Sequence, residues 1–288
     1  MIWVVGSGPA GISAALYILR GGQPVGILHQ PGSSALEKAE RIENYYGLEA
    51  PVSGGELLRR GWVQAERLGA ELKDAQAVGL NFGEAGLELT TTEGVLPAEA
   101  VILATGSPRL APRLPGLQEF EGKGVSYCAV CDGFFCRGKA VAVLGSGEFA
   151  LHEAETLLPI AASVTLLTNG EPVPENLPEE VRTETRRLSE LYGDQLMEGI
   201  RLEDGQVLDI PRLFVALGTA GSTDLARQIG VILDGSAILV DENMATNVPG
   251  VFAAGDCTGG LKQVSKAAYQ GAVAGLSALR HVRAQKRA

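Results

Sequence analysis

Short apolar runs separated by glycine-rich turns organise the chain. The first run, residues 2–5, leads into the turn Gly6–Gly11 and then a segment over about 9–20 whose apolar residues share one helical face. A further apolar run ends near Leu28. The pattern predicts a βαβ unit that carries its glycines where a bound dinucleotide needs them.

Each glycine of the first turn has a predicted role. Gly6 makes the turn, Gly8 lets a pyrophosphate approach the helix N-terminus, and Gly11 lets the helix pack closely on the strand. Pro9 and Ala10 separate the last two glycines. The strand–turn–helix context turns a weak motif into a specific prediction of a dinucleotide site.

The same pattern occurs a second time. An apolar run from Ala140 leads into the turn Gly145–Ala150, a predicted helix over about 148–158 and a strand over 163–167. Ala150 replaces the third glycine, which the pattern allows. The fold class is therefore predicted as α/β, with two Rossmann-like dinucleotide-binding domains, the second inserted into the first.

A proline-rich segment at 108–115 marks the predicted linker between these domains. Residues 1–109 and 247–288 are predicted to form a discontinuous first domain. Residues 110–246 are predicted to form the second, NAD(P)H-binding-like domain.

Other patterns predict the remaining elements. They are a helix from a Ser53–Glu56 capping box to about Ala70, strands at 86–92, 101–104, 213–217 and 251–254, a long charged helix over 178–192, a hairpin turn at Asp204–Gly205, and a terminal helix over about 262–282.

Composition narrows the class of protein. The 288 residues are 45% apolar and 20% charged, which is ordinary for a globular protein. A net charge of −10 and a pI of about 4.9 argue against nucleic acid and anionic membrane surfaces as partners. Met1 leads straight into a strand and no run of 18 apolar residues occurs, so we expect no signal peptide, no membrane span and a cytoplasmic location.

Two of the four cysteines form the motif that carries chemistry. Cys128 and Cys131 are separated by two residues and followed at once by Asp132. A dithiol closed over two residues can cycle with its disulfide without refolding, and the acid can give or take the thiol proton. The alternatives are two buried thiols that happen to be close, and an aspartate that only forms a turn.

No metal site is predicted. The C-x-x-C occurs once, and the three histidines are scattered without the spacing of zinc ligands. Cys136 and Cys257 are predicted to be small buried hydrophobic residues.

Six motifs together resemble the low-molecular-weight thioredoxin reductases, which are FAD-containing pyridine nucleotide-disulfide oxidoreductases. The resemblance covers nearly the whole chain. The motifs are G-S-G-P-A-G at 6–11, I-E-N-Y-Y-G at 42–47, A-T-G at 104–106, C-A-V-C-D-G-F-F at 128–135, the second glycine turn, and G-V-F-A-A-G-D at 250–256.

The resemblance implies a flavin-dependent disulfide reductase that is usually a homodimer and acts on thioredoxin or a thioredoxin-like protein. It assigns Cys131 to the flavin side, Cys128 to attack on the partner, and Asp132 to proton donation. Asp256 would lie near the ribityl chain of FAD and Asn44 near the flavin ring. The alternatives are a helix N-cap for Asp256 and a turn residue for Asn44. The predicted FAD-binding residues are Gly6, Gly8, Pro9, Ala10, Gly11, Asn44, Thr105, Gly106, Gly255, Asp256, Lys262, Gln263 and Val264.

The second dinucleotide site departs from the family pattern. NADPH-dependent members carry an H-R-R run after the corresponding strand, and its arginines neutralise the 2′-phosphate of NADPH. This chain has Leu166–Glu171 at that place, and the segment contains no basic residue. Glu171 lies too late to serve the ribose of NAD, and the segment from Thr168 to Arg212 is short for a full NADPH domain.

This departure resembles a smaller branch of flavin thioredoxin reductases, some of which take electrons from ferredoxin. A non-nicotinamide donor is therefore slightly favoured over NAD(P)H. An ordinary NAD(P)H-dependent thioredoxin reductase and a flavin-bound, redox-responsive binding protein without turnover remain the alternatives. Ferredoxins are usually acidic, so docking needs a basic patch. The three basic groups are Arg59–Arg60, Arg182 with Arg186–Arg187, and Arg280, Arg283, Lys286 and Arg287.

Overall fold

The computed structural model describes residues 1–30, 34–84, 86–106, 113–218 and 220–287. The chain forms two compact units, one of Met1–Arg109 with Gly221–Ala288 and the other of Leu110–Ala220. No helix within these described ranges is long and apolar enough to cross a membrane.

The helices of the described residues are α1 (Pro9–Arg20), α2 (Gly54–Arg67), α3 (Ala129–Asp132), α4 (Glu148–Leu157), α5 (Ser222–Gln228) and α6 (Val264–Gln285). The strands are β1 (Ile2–Val5), β2 (Val25–His29), β3 (Glu71–Asp74), β4 (Ala77–Gly83), β5 (Gly86–Thr91), β6 (Gly94–Ala98), β7 (Ala100–Leu103), β8 (Val125–Ser126), β9 (Ala140–Leu144), β10 (Ser163–Leu167), β11 (Arg182–Glu184), β12 (Leu188–Gly193), β13 (Met197–Leu202), β14 (Val207–Leu208), β15 (Leu213–Val215), β16 (Leu233–Asp234), β17 (Ala237–Ile238) and β18 (Val251–Ala253). Short 3₁₀ segments occur at Ala35–Lys38, Gly133–Cys136 and Asp256–Thr258.

The first unit is built on a parallel sheet of order β18-β7-β1-β2-β3. The predicted βαβ opening is confirmed, because α1 joins the parallel neighbours β1 and β2. Helices α1 and α6 pack tightly together: a Cβ on Gly271 would lie 2.1 Å from the carbonyl oxygen of Ala10, and one on Gly275 would lie 2.5 Å from that of Ala14. The strand β1 pairs with β2 on one side and with β7 on the other. The first glycine turn therefore lies at the point where the strand order of the sheet reverses, which is the usual place for a bound ligand.

The second unit repeats this architecture on a parallel sheet of order β11-β10-β9-β15-β8. Helix α4 joins β9 to β10 and buries Phe149, Ala150 and Leu157. The predicted second βαβ unit is confirmed, and with it the α/β fold class with two Rossmann-like units.

The predicted long charged helix over 178–192 is wrong. Residues of this segment form β11, which extends the parallel sheet, and β12, which pairs antiparallel with β13. Leu188 and Leu191 are both buried although three residues apart, because the register shifts between Leu188 and Glu190. The irregular strand therefore imitates the i, i+3 spacing of a helix.

Residues 221–246 belong to the first unit, whereas the sequence analysis placed them in the inserted domain. Gln228 on α5 accepts a hydrogen bond from the backbone N–H of Leu80 at 2.8 Å, and Ser222 bonds to Thr105. These contacts join α5 to strand β4 and to the end of β7, which local sequence pattern does not reveal. Residues 108–112 of the predicted linker lie outside the described residues.

Candidate active site

The first glycine turn follows β1 at the centre of its sheet. Gly6 has a φ of 111°, and a Cβ there would lie 2.5 Å from the carbonyl oxygen of Ala104. A Cβ on Gly11 would lie 1.9 Å from the carbonyl oxygen of Gly6. Both positions therefore require glycine for the protein's own packing.

Gly8 differs from these two glycines. Its backbone is extended, with φ −75° and ψ −177°, and a Cβ would meet nothing within 4 Å. Neither backbone strain nor protein packing requires glycine here. It opens the N-terminus of α1, where Pro9 is the first helical residue and Ala10 is buried. The open space and the helix dipole suit a pyrophosphate.

Two buried side chains, Ser7 and His29, and the half-buried Trp62 support the first glycine turn. Ser7 Oγ lies 2.6 Å from His29 Nδ1, and the indole N–H of Trp62 donates to the Ser7 carbonyl oxygen at 2.9 Å. The rings of His29 and Trp62 meet edge to face at 4.7 Å between centroids. These three residues were not predicted, because they come from three separate elements.

Two other predicted segments lie at the same edge of the sheet, because β7 pairs in parallel with β1 and β18 pairs in parallel with β7. Thr105 and Gly106 follow β7. The Thr105 N–H donates to Ser222 Oγ at 3.0 Å, and the Ser222 N–H donates to Thr105 Oγ1 at 2.6 Å. Gly255 and Asp256 follow β18.

Helix α6 holds the Gly255–Asp256 loop in place. The Gly255 N–H donates to Gln270 Oε1 at 3.0 Å, while Lys266 Nζ donates to the carbonyl oxygens of Gly255 and Gly259 at 2.7 and 2.6 Å. Burial lowers the pKa of Lys266, and the charge of Asp256 opposes that shift. Lys266 was not predicted as part of this site.

The segments around Asn44 and Gln263 also meet. Asn44 Nδ2 donates to Gln263 Oε1 at 3.0 Å. Gln263 is the N-cap of α6, Val264 is its first residue and Lys262 is exposed. The N-cap of the terminal helix is therefore Gln263 and not Asp256, whereas the role of Asn44 at the flavin stays a prediction.

The predicted FAD-binding residues thus fit an extended dinucleotide. The open Gly8 position and the loops after β7 and β18 share one edge of the sheet, at its switch point. FAD supplies two-electron flavin chemistry when bound. The first glycine turn would hold its pyrophosphate, and the Gly255–Asp256 loop lies two strands away along the same edge.

The second unit carries the disulfide. Cys128 and Cys131 are joined, with 5.4 Å between their Cα atoms. Cys128 is the N-cap of α3, and its Sγ accepts a hydrogen bond from the Cys131 N–H at 3.1 Å. Cys128 is only 3% exposed, whereas Cys131 is exposed. Attack by Cys128 on a partner therefore requires a change that uncovers its sulfur.

Asp132 is held beside this pair by a serine. Ser126 Oγ donates to Asp132 Oδ2 at 2.7 Å and accepts from the Cys128 N–H at 3.1 Å. The carboxylate is exposed and one residue from Cys131. This position suits a proton donor or acceptor for the thiols.

Glu153 is a further residue at the disulfide that the sequence analysis missed. It lies on α4, is 1% exposed, and its Oε2 accepts a hydrogen bond from the Ala129 N–H at 2.6 Å. A signal was present in the sequence. Ala150, Ala154 and Leu157 mark the buried face of α4, and the helical spacing places Glu153 on the same face.

The other two cysteines are free and buried, as predicted. Burial raises the pKa of Cys136, and it raises the pKa of Cys257 to about 11. Across the ranges that the structure describes, no group of three or more His, Cys, Asp or Glu residues is arranged to hold a metal ion.

The second glycine turn is closed where the first is open. A Cβ on Gly147 would lie 3.1 Å from the carbonyl oxygen of Gly218, so the protein's own loop explains this glycine. Glu148 is the first residue of α4 and places an acid at the helix N-terminus. An acid at this position repels a pyrophosphate.

One expectation about this second site requires correction. The sequence places no base at the end of β10, but the fold brings Arg187 there from beyond β11. A Cβ built on Gly170 would lie 3.3 Å from Arg187 Nε. The backbone N–H of Gly170 donates to the carbonyl oxygen of Thr185, which holds the two segments side by side.

A family model described as pyridine nucleotide-disulphide oxidoreductase matches residues 1–271. The chain belongs to this family. The thioredoxin reductase of Aquifex aeolicus is 34% identical over 292 residues, covering 95% of this chain and 90% of that protein. Among solved structures, the atypical thioredoxin reductase TRi from Desulfovibrio vulgaris Hildenborough has a TM-score of 0.92 and 38% identity, covering 99% of this chain and 98% of that one. A ferredoxin-flavin thioredoxin reductase from Clostridium acetobutylicum has a TM-score of 0.73 and 29% identity, covering 98% of each chain.

Membership establishes the chemistry in outline. This oxidoreductase is a flavoprotein that uses FAD and a redox-active disulfide, as the resemblance implied. The disulfide between Cys128 and Cys131 is the pair that the motif marked.

Proposed function

We propose that this oxidoreductase reduces the disulfide of thioredoxin or a thioredoxin-like protein, using electrons that reach its FAD from a donor such as ferredoxin. The observation that carries the proposal is the contrast between its two glycine turns. Gly8 leaves the first turn open to a ligand. In the second turn, the carbonyl oxygen of Gly218 fills the corresponding space and Glu148 adds a negative charge. The chain has thus kept a flavin site and altered its nicotinamide site.

A protein partner is supported by the surface beside the disulfide. Val130, between the cysteines, is 47% exposed, and Phe134 and Phe135 are 68% and 65% exposed. Aromatic side chains in such positions are typical anchors of protein–protein contacts. Relatives named thioredoxin reductases support thioredoxin as that partner.

Ferredoxin as donor is supported by the ferredoxin-flavin thioredoxin reductase among the structural relatives. Arg187 argues in the other direction, since one guanidinium at the end of β10 could meet a 2′-phosphate. Glu171, which follows Gly170 directly in the chain, weakens that attraction. The balance favours a non-nicotinamide donor, and an ordinary NAD(P)H-dependent reductase is the second candidate.

Two of the three basic groups predicted to attract an acidic ferredoxin contain arginines that already pair with acids. Arg59 and Arg60 both pair with Glu56, and Arg186 pairs with Glu184 and Asp204. The C-terminal group lies at the far end of α6, where Arg283 is about 28 Å along the helix from Val264. That distance separates it from the predicted flavin residues at the start of α6.

The residues of the disulfide unit account for the thiol chemistry. Reduction of the Cys128–Cys131 bond takes two electrons and two protons and gives two thiols. The Cys128 thiolate then attacks one sulfur of the partner's disulfide, and the partner's other sulfur leaves and takes a proton. Cys131 attacks the mixed disulfide at Cys128, which restores the original bond and releases the second partner thiol. Asp132 accepts and returns the protons of these steps.

One experiment separates the donors. The purified yellow protein is titrated anaerobically with NADPH, NADH and reduced ferredoxin while flavin absorbance is followed. We expect rapid bleaching with ferredoxin alone. Subsequent addition of oxidised thioredoxin should restore the absorbance over many cycles, whereas a binding protein without turnover would react once per molecule. The same proposal includes a homodimer in the cytoplasm, and light scattering on the purified protein tests the dimer.

A further inference from the structure

Glu153 is placed at the disulfide by a different element from the one that carries the cysteines. It comes from α4, 24 residues beyond Ala129, and its Oε2 accepts the Ala129 N–H at 2.6 Å. The residue is 1% exposed. Taking a carboxylate out of water is costly, so its retention at a redox centre points to a role beyond packing.

Cys128 Sγ and the Glu153 carboxylate share the amides of one helical turn. The sulfur accepts the N–H of Cys131, and the carboxylate accepts the N–H of Ala129, the residue directly after Cys128. A charge in this position would disfavour a second negative charge on the sulfur, and bulk water screens it little because Cys128 and Glu153 are 3% and 1% exposed.

We infer that Glu153 is a positioning residue of the redox pair: it fixes the C-x-x-C turn and keeps Cys128 as a protonated thiol after reduction. This inference rests on the disulfide chemistry of the proposed function. Reduction adds two electrons and two protons to the pair, and one of those protons stays on Cys128. It leaves when the sulfur attacks the partner's disulfide, and Asp132 accepts it. While Cys128 is buried, its thiol is thereby protected from reacting with a disulfide before the partner docks.

Other titratable groups border this turn and enter the interpretation of any pH profile. Asp132 and Cys131 lie on α3, Tyr127 precedes Cys128, and Cys136 ends the following 3₁₀ segment. His152 neighbours Glu153 on α4, and burial lowers its pKa while the charge of Glu155 opposes that shift. Burial raises the pKa of Cys136, and the positive charges of Arg212 and Lys139 oppose that shift. Asp132 is exposed and bonded to Ser126, whereas Glu153 is buried against the Ala129 amide.

The test uses the FAD-loaded chain with Cys131→Ser, so that Cys128 is the free thiol of the pair. The rate of alkylation by iodoacetamide is measured against pH, and peptide mass spectrometry separates Cys128 from Cys136 and Cys257. The same profile is measured after adding Glu153→Gln, which keeps an oxygen acceptor for the Ala129 N–H but removes the charge.

We expect Glu153→Gln to lower the pH midpoint of Cys128 alkylation by about 1–2 pH units. At neutral pH this corresponds to roughly 10- to 100-fold more thiolate. Glu155→Gln is the matched control, because Glu155 is exposed on the same helix, and it should leave the midpoint unchanged. If Glu153 only holds the turn through its hydrogen bond, Glu153→Gln should leave the pH midpoint of Cys128 alkylation unchanged. That result in a folded variant would overturn the inference.

A second measurement needs no variant at Glu153. The amide proton of Ala129 is followed by NMR in the unaltered FAD-loaded protein labelled with ¹⁵N-alanine. A charged acceptor should hold this resonance far downfield, and protonation of that acceptor should move it upfield; an ordinary, pH-independent position would contradict the inference. Neither measurement involves an electron donor or a partner protein. A failure of the proposed function would therefore leave both readouts intact.

Discussion

Arg187 lies across Gly170 at the end of β10, with its Nε 3.3 Å from the position that a Cβ would occupy. The two residues belong to segments that run side by side because β10 and β11 are parallel neighbours. The fold therefore supplies one base at a strand end where the sequence around 166–171 has none. The fold places a single arginine where the resemblance predicts the two arginines of an H-R-R run in NADPH-dependent members.

NADPH and NADH are both expected to reduce the flavin poorly. Each charge-assisted bond to a 2′-phosphate is worth ~1.5–3 kcal/mol, so the loss of even one weakens NADPH binding by about 10-fold or more. Glu148, at the helix N-terminus where the pyrophosphate would bind, should weaken the binding of both nucleotides. Anaerobic mixing with micromolar NADPH should leave the flavin yellow for many seconds.

Rapid bleaching by micromolar NADPH would refute the ferredoxin assignment and leave an ordinary thioredoxin reductase. Arg187→Gln then becomes decisive. If Arg187 holds the 2′-phosphate, this variant loses reduction by NADPH and keeps whatever reduction NADH gives. Arg182→Gln, on the neighbouring strand, is the matched control.

Gly8→Val should yield colourless protein. The extended backbone of Gly8 tolerates a side chain and nothing in the protein lies within 4 Å of its Cβ position, so the fold should survive. A valine would instead occupy the space reserved for the pyrophosphate. Flavin absorbance per chain and a thermal melt measure the two effects.

Gly55→Val is the control for this change, because Gly55 on α2 is likewise open, with nothing within 4 Å of its Cβ position. It should retain one FAD per chain. Flavin retained at full occupancy in Gly8→Val would place the cofactor elsewhere.

Cys128→Ser and Cys131→Ser should each abolish thioredoxin reduction while leaving FAD bound. A disulfide cannot form with one thiol missing, whereas the predicted FAD-binding residues belong to the other unit. A single-cysteine thioredoxin should then be trapped as a mixed disulfide through Cys128, detected by non-reducing gel and peptide mapping. Because Cys131 is the exposed sulfur in this structure, trapping through Cys131 is a real competing outcome and would reverse the two roles.

Asp132→Asn should slow turnover by about 10²-fold, the usual scale for a positioned acid, and leave the fold and FAD content intact. Ser126→Ala should cause a smaller loss, ~10-fold, because it removes one hydrogen bond that orients the carboxylate. Steady-state rates across pH measure both. An unchanged rate in Asp132→Asn would leave Asp132 as a turn residue.

Local pattern determined much of this protein. The glycine turns, the apolar runs of 2–5 and 140–144 and the C-x-x-C-D motif act within a few residues, so sequence spacing is enough to predict two βαβ units and a redox disulfide. The prediction failed at 178–192, where a register shift gave strand residues the spacing of a helix.

Tertiary structure alone decided which distant residues meet. The Ala129–Glu153 hydrogen bond, the position of Arg187 over Gly170 and the contact of α5 with β4 all join separate elements. Such contacts depend on the order of strands in a sheet and on which helix faces pack together. Those features follow from the burial of the whole core rather than from any local segment, and they set the electrostatic surroundings of the disulfide.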